Sequence, residues 1–443
     1  MTLSESRESR GQLLHILGVS FGIAVAIGGM IGAGILRTPS LIAAAVPDAG
    51  VIVALWAIGA IHTALEANVL SELATAVPRA GGFYVYAHRA FGDVGGLVVG
   101  WTIWITRLCS TAALSVAFAD FLGILWPFAA QHTVLVAVAM QLTVFGFNTI
   151  GLREGRALQE VTSLAKALAL AAFCVVAFVT AAPAQTAIAT VPAAFGWVGI
   201  IAAYQFIVGA YSGWAEPTFF AEENTQPGRS VPRAIFIGVA LAGTLYVAIN
   251  IALLHALGIG GVAHGALPYT TVLTRAFGAS AGTLFAIGAM VVVASCANAG
   301  IMSAPRVLLA LSRDGLLPAV FSNVNTGGSP YAALALTAVG ALILTLSGSF
   351  GLLFGLIGTL SVGSLLLALA SIFVLRRREP ELARPYRAFF YPFLPALVLI
   401  VDIALLLLFL NANWWGALVA ALLFLACIPF AMVARRANRK AQP

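Results

Sequence analysis

Residues 27–36 read IGGMIGAGIL, with Gly28, Gly29, Gly32 and Gly34 inside an otherwise apolar stretch that runs from about 17 to 43. Glycine is a poor helix interior, because it gives up more backbone freedom than any other residue. No strand precedes the run, so it does not read as a dinucleotide loop. A second interruption lies at 207–217, IVGAYSGWAEP, where Gly209, Gly213 and Pro217 fall in the middle of the apolar stretch 196–222. Proline removes a helical donor and clashes with the preceding turn. Two apolar stretches broken at matching places point to two structural repeats with a site between them. Unpaired backbone facing lipid is too costly, so such breaks must line a cavity. The competing explanation for either cluster is close packing of helices through small residues.

The composition sets these runs in a membrane. Of 443 residues, 61% are hydrophobic and only 9% are charged, against about 25% charged in a soluble domain. The mean hydropathy is +1.01. Such a chain cannot cover its own surface in water, which excludes a soluble enzyme, a disordered chain and a nucleic-acid-binding protein. A spanning helix needs ~20 apolar residues. Spans are read at 17–43, 50–76, 93–125, 131–149, 160–182, 196–222, 232–257, 280–311, 330–347, 350–375, 390–411 and 413–434. The fold class is therefore an all-α polytopic membrane protein of about twelve transmembrane helices, helices 1 and 6 broken.

Charge placement orients it. With a cytoplasmic N-terminus, every second connection is basic, from Arg7 and Arg10 through Arg79 and Arg89, Arg153 and Arg156, Arg229 and Arg233, Arg306 and Arg313, and Arg376–Arg387 to the RRANRK tail. Nineteen of the 23 Lys and Arg residues fall on that side, and Arg275 stands alone in the opposite loops. This is the positive-inside pattern with both termini cytoplasmic. It also accounts for the +7 net charge without nucleic acid. The polar N-terminus reads as lacking a removable signal peptide. Cys109, Cys174, Cys296 and Cys427 all lie in apolar runs and read as small core residues. The chain has no GxxxxGK[ST], HExxH or CxxC, and no cofactor or metal is expected.

The breaks supply their own chemistry. Residues after Gly32 restart a half-helix, whose free amides and positive dipole end suit a carboxylate. Carbonyls released near 208–212 suit an ammonium group. Together they form a receptor for the zwitterionic head of an amino acid.

Longer motifs carry a resemblance. IGGMIGAGIL is followed by SELATAVPRAGGFYVY (71–86), GAYSGWAEP (209–217), EENTQPGRSVPRAI (222–235), ANAGIMSAPRVLLALSRDGLLP (297–318) and RRREPELARPYRAFFYPFLP (376–395). In that order the chain resembles the amino acid–polyamine–organocation superfamily, and within it the L-type amino-acid transporter-like permeases. The resemblance implies a leucine-transporter-type fold, a five-plus-five inverted repeat with two added helices. Residues 1–16 would be a cytoplasmic tail, 17–182 the first repeat, 196–375 the second, 376–434 the two additional spans and 435–443 the C-terminal tail. It further implies that Ile31, Gly32, Ala33 and Gly34 hold the substrate carboxylate. Val208, Gly209, Ala210, Tyr211 and Ser212 would hold the amine, Trp214 would stand beside the pocket as a gate, and Tyr246 would touch the broken first helix. For both aromatics plain core packing is the alternative.

Lys166 lies in the fifth span, and a buried cation is a functional hypothesis by default. In sodium-coupled relatives this region holds sodium between spans one, five and eight, so an ammonium there implies sodium independence. Lys166 is then expected to bridge carbonyls of span one to span eight near Ser295 and Asn298, and to be able to titrate. The alternative is a lysine reaching back to the cytoplasmic face. Four acids need weighing. Glu66, in the middle of span two, is either a proton carrier or a structural partner of His62 or Arg107. Glu216 either reads a second ammonium of a dibasic substrate or satisfies backbone and water. Glu222 and Glu223, ahead of Arg229 and Arg233, read as an inner-gate network.

The leading expectation is a sodium-independent alternating-access transporter of small to medium neutral L-amino acids, working by exchange or proton symport. A transporter of cationic amino acids or polyamines is the alternative. A membrane amino-acid sensor, from another class, would be expected to carry a signalling segment, and the tails are short. A membrane enzyme would need a nucleophile with a base or a metal cluster, and the six histidines are scattered singly. The expected partners are the small-molecule substrate and the bilayer, with no nucleic acid and no disulfide-linked subunit. The expected state is a monomer in a bacterial inner membrane.

Overall fold

The computed structural model describes residues 17–79, 81–149, 155–180, 196–265, 267–325, 330–412, 414–426, 428–429 and 432. The two predicted tails, 1–16 and 435–443, lie outside them, as does Cys427. Helix dominates, and the described residues hold no strand beyond a single bridge between Leu17 and Asn224. In chain order the principal helices are α1 Val19–Met30, α2 Ala33–Ala45, α3 Ala49–Ala76, α4 Phe83–Leu125, α5 Thr133–Asn148, α6 Gly155–Thr180 and α7 Trp197–Tyr211. They continue with α8 Glu216–Phe219, α9 Pro227–His264, α10 Ala279–Arg313, α11 Tyr331–Thr345, α12 Phe350–Arg378, α13 Phe393–Ala412 and α14 Trp414–Leu425. Among the described residues, eight helical stretches are long and apolar enough to cross a membrane, and α5, α7, α11 and α14 are shorter apolar helices. Each stretch read as a span overlaps one or two of these helices.

Local chemistry sets several boundaries. Asp48 caps α3 by accepting the Val51 amide at 2.8 Å, and Ser349 caps α12 through the Leu352 amide at 3.3 Å. Such caps satisfy donors that a helix start leaves over. Two boundaries read from sequence coincide with kinks. The third span was read from 93, but α4 begins at Phe83 and bends at Gly92, where φ is +71°. The seventh was read to 257, and α9 continues to His264 through Gly258 at φ +66°. Both residues sit in the left-handed region that glycine adopts without a Cβ clash. The outer loop around Arg275 carries a short helix, Pro268–Phe277, that the sequence reading did not anticipate.

α4 is the central post, packed along α10 and α12; its buried Trp101 donates to Leu423 O of α14 at 2.9 Å and its buried Trp104 to Thr337 of α11 at 3.0 Å. α1 and α2 thread between α9, α6 and α7. The outward faces of α3, α6 and α13 expose Ile61, Leu168 and Leu407, a surface made for lipid rather than water. Ion pairs gather where α3, α10 and α12 end and α4 begins. Glu72 accepts from Arg376 Nε at 2.8 Å and from the Ala388 amide at 2.7 Å. Arg79 meets Asp314 at 3.3 Å. Arg89 hydrogen-bonds Glu379 at 3.0 Å and holds its carboxyl below the usual carboxylate range. That last pair is largely exposed and contributes no more than ~1 kcal/mol, weak enough to break in a moving protein. At the other end of the bundle Arg37 pairs with Asp120 and lies 5.0 Å from the Phe350 ring centre.

Candidate functional site

The glycine run of the first span is a break. α1 stops at Met30, and α2 restarts at Ala33 with Gly32 as an extended N-cap that offers no side-chain acceptor. The first amides of α2 are therefore left to whatever faces them. In the sixth span α7 stops at Tyr211, a turn covers 212–215, and α8 begins at Glu216. There the Ser212 amide bonds Gly209 O at 3.3 Å and not the Val208 carbonyl that a continued α-helix would offer it.

The two breaks touch each other. A Cβ on Gly29 would lie 2.9 Å from Gly213 O, and one on Gly34 would lie 3.0 Å from Ala210 Cα. These glycines are there because backbone passes backbone. Tyr246 of α9 ties the breaks together, its hydroxyl 2.6 Å from Met30 O and 3.3 Å from Ala210 O. It stands edge-on to Trp56, and its ring centre is 5.0 Å from that of Tyr211. The close-packing reading and the cavity reading thus hold for different glycines of the same runs.

Two cavities of about 60 and 50 Å³ flank the contact, and Gly29, Arg107, Ser110 and Ser212 line both. One carries Gly32, Ala33, Gly34, Gly209 and Ala210 in its wall, together with Cys296. The other carries Val208, Tyr211, Trp214, His62 and Glu66. A water needs ~10–15 Å³ of such space, and an apolar cavity of about 150 Å³ accepts benzene. These spaces hold a few waters or a small polar ligand. Ile31, predicted to hold the carboxylate, lies outside both linings, and its carbonyl is 3.0 Å from Cys296 Sγ. The carbonyls expected to hold the amine are already partly engaged. Gly209 O accepts Ser212 Oγ at 2.9 Å, Ala210 O accepts Tyr246 and Tyr211 O accepts the Trp214 amide.

Lys166 of α6 is buried, 3% exposed, and its ammonium donates to Cys296 Sγ of α10 at 3.1 Å. The same sulfur lies 3.1 Å from Gly28 O. Lys166 therefore reaches the broken first span through the thiol. The expected neighbours Ser295 and Asn298 are engaged elsewhere: Ser295 bonds Thr162 at 3.1 Å and Asn298 accepts from Asn148 at 2.7 Å. At 100° per residue, Cys296 faces α1 while Ser295 and Asn298 flank it.

The acids are placed as follows. Glu216 pairs with Arg107 of α4, whose guanidinium lies 5.1 Å from the Phe219 ring centre. Glu223 pairs with Arg306 at 3.5 Å, not a partner the charge run had suggested. Glu66 lies 3.7 Å from His62 on the next turn of α3. His62 in turn meets Asp402 of α13 at 2.8 Å, and Tyr204 of α7 at 3.2 Å. Cys296 reads from sequence only as a small core residue, and Asp402 is not singled out there. Asp402 had a signal, as the sole acid in the apolar helix FLPALVLIVDIALLLLFLNA.

Interrupted apolar helices closing on a central cavity, in a bundle with a lipid-facing surface, define a multi-pass membrane transporter. The chain belongs to the amino acid permease family, whose model matches residues 17–436. It is 26% identical over 388 residues to the serine/threonine exchanger SteT of Bacillus subtilis, covering 86% of this chain and 88% of that protein. It is 28% identical to an uncharacterized transporter of Mycobacterium tuberculosis, over 71% of this chain and 69% of the other. It is 24% identical to the large neutral amino acids transporter small subunit 2 of Mus musculus, over 84% and 72%.

Proposed function

We propose that this protein is a sodium-independent alternating-access carrier that exchanges small to medium neutral L-amino acids across a bacterial inner membrane. The observation that carries the reading is the cavity wall built from both breaks, with the start of α2 on one side and the end of α7 on the other. The amides of Gly32, Ala33 and Gly34 suit the carboxylate, and the Val208 carbonyl and Ser212 suit the amine. Exchange and the neutral class are favoured by the names of the serine/threonine exchanger and the large neutral amino acid transporter. The cationic alternative loses its main support, because Arg107 already neutralises Glu216.

On this reading residues 17–182 and 196–375 are inverted repeats, 376–434 add two spans and both termini are cytoplasmic, as the basic connections suggest. The protein acts as a monomer without a disulfide-linked subunit, since its cysteines fall in apolar runs, and it is not an enzyme. Trp214, buried beside the cavity, serves as a gate.

Sodium independence rests on Lys166. Its ammonium, seated against Cys296 beside the Gly28 and Ile31 carbonyls, supplies the positive charge a metal ion would bring. A hydrogen bond from a charged group is worth ~1.5–3 kcal/mol, and each 1.4 kcal/mol is about tenfold. Lys166→Met is therefore expected to slow exchange about 10- to 100-fold, measured as labelled serine flux at matched protein density.

The test of the whole reading is uptake into liposomes holding the purified protein. Labelled serine, alanine, leucine, arginine and putrescine are offered with an inward sodium gradient or with internal unlabelled substrate. Internal substrate is expected to drive entry of serine, alanine or leucine, and sodium to make no difference. Uptake of arginine or putrescine alone would refute the neutral class, and sodium-driven uptake would refute the role given to Lys166.

A further inference from the structure

A set of buried ionisable groups lies beside the breaks, and the substrate reading makes no use of it. His62 and Glu66 stand one turn apart on α3, and Asp402 faces them from α13. Their exposures are 7%, 3% and 0%. His62 Nε2 is 2.8 Å from Asp402 Oδ1 and 3.7 Å from Glu66 Oε1. Its Nδ1 is 3.2 Å from the Tyr204 hydroxyl. Asp402 Oδ2 is buried with no hydrogen-bond partner among the described residues.

The charge count is the first argument. An imidazolium and two carboxylates leave a net charge of minus one in a setting where an unbalanced charge is expensive. One more bound cation makes the cluster neutral. Among the described residues the surroundings supply none. From α4, Arg107 faces the same cavity but pairs with Glu216. From α7 come Tyr204 and Tyr211, with Tyr246 of α9 behind them. From α12 the cavity receives only Ser361, Ser364 and Leu365.

Access is the second argument. His62 and Glu66 line the cavity shared with Val208, Ser212 and Trp214, so water and protons reach them wherever substrate does. Behind them lies an apolar crevice lined by Ile58, Leu65, Val401 and Leu405, which gives no path for ions. Asp402 and Glu66 share the Nε2 edge of the imidazole, and Tyr204 holds it at Nδ1. Tyr204 rides on α7, the helix that ends at the sixth-span break, so movement of that break shifts the hydroxyl on His62.

We propose that the His62–Glu66–Asp402 cluster is a proton-binding site and that Glu66 carries one proton with each substrate. The inference rests on the carrier reading above. The proton comes from water on the side to which the cavity opens, converts the Glu66 carboxylate to the acid, and returns to water on the other side. With equal pH on both sides, substrate exchange carries protons both ways and their movement cancels. With an acidic exterior, net uptake follows.

The experiment uses liposomes holding an internal pH dye and the full-length protein, with proton entry and labelled serine flux recorded together. Serine added outside at an acidic external pH, to vesicles holding no amino acid, is expected to acidify the lumen of wild-type vesicles beyond that of serine-free controls. In Glu66→Gln the ratio of protons to serine is expected to fall at least tenfold, and in Asp402→Asn to fall less. Wild-type serine flux without acidification overturns the proton site and leaves the carrier reading standing. A Glu66→Gln ratio equal to wild type also overturns the site. Absence of any amino-acid flux in wild type overturns both readings. Flux abolished by a chelator and restored by zinc, in wild type but not in Glu66→Gln, would make the occupant a divalent ion and overturn the proton.

Discussion

Replacing Gly213 by alanine is expected to lower substrate flux at least about 100-fold while the protein still reaches the membrane. A Cβ at this position would come within 2.6 Å of Gly29 Cα and closer still to its carbonyl. The obstacle is backbone, so no rotamer change relieves it. Both broken helices would have to part by an ångström or more. Misplacing a reacting group by that much elsewhere costs about 100-fold, and here it pulls apart the two halves of the proposed amino-acid receptor. Gly288→Ala is the control. Gly288 is exposed on α10 with nothing within 4 Å of its Cβ position, and helix propensity favours alanine by up to ~1 kcal/mol. Flux of labelled serine in both variants, at equal density, decides the matter. Near-normal flux in Gly213→Ala would mean that the two breaks do not move as one packed unit.

The breaks themselves were legible because glycine and proline act locally. Gly32 ends one helix and opens another whatever lies across from it, and the matched placement in spans one and six needed no partner to be read. The alternation of basic connections was equally local. The edges of spans three and seven fell at Gly92 and Gly258 because those residues change the backbone direction, although helix continues beyond them. What escaped was long-range pairing. Asp402 stands 340 residues from His62, and nothing in either neighbourhood names the other. Lys166 drew attention as a charge, but its neighbour did not, since a cysteine in an apolar run looks like packing. The choice between Ser295, Cys296 and Asn298 is a fraction of a helical turn, finer than a span boundary read from hydropathy. Glu216 was weighed as a reader of cationic substrates only because its partner Arg107, in another span, carried no sequence link to it.

That pair gives the second large expectation. Arg107→Ala leaves the Glu216 carboxylate, 6% exposed, without its guanidinium. Breaking a buried pair from one side costs ~3–5 kcal/mol, whereas replacing both partners by apolar residues is often neutral or stabilising. Arg107→Ala is therefore expected to lower the thermal unfolding midpoint of the detergent-solubilised protein sharply. The double variant Arg107→Leu with Glu216→Leu is expected to recover most of that loss. Flux should not recover with it, because Arg107 lines both cavities, Glu216 lines one of them, and the Glu216 side chain stands against Gly29 at the contact with Gly213. Stability restored together with flux would reduce the pair to a structural bridge. The variant Glu216→Gln separates the substrate classes. If Glu216 serves only Arg107, the wild type excludes arginine and the variant still does. If the carboxylate reads a second ammonium, the wild type carries arginine and the variant loses it.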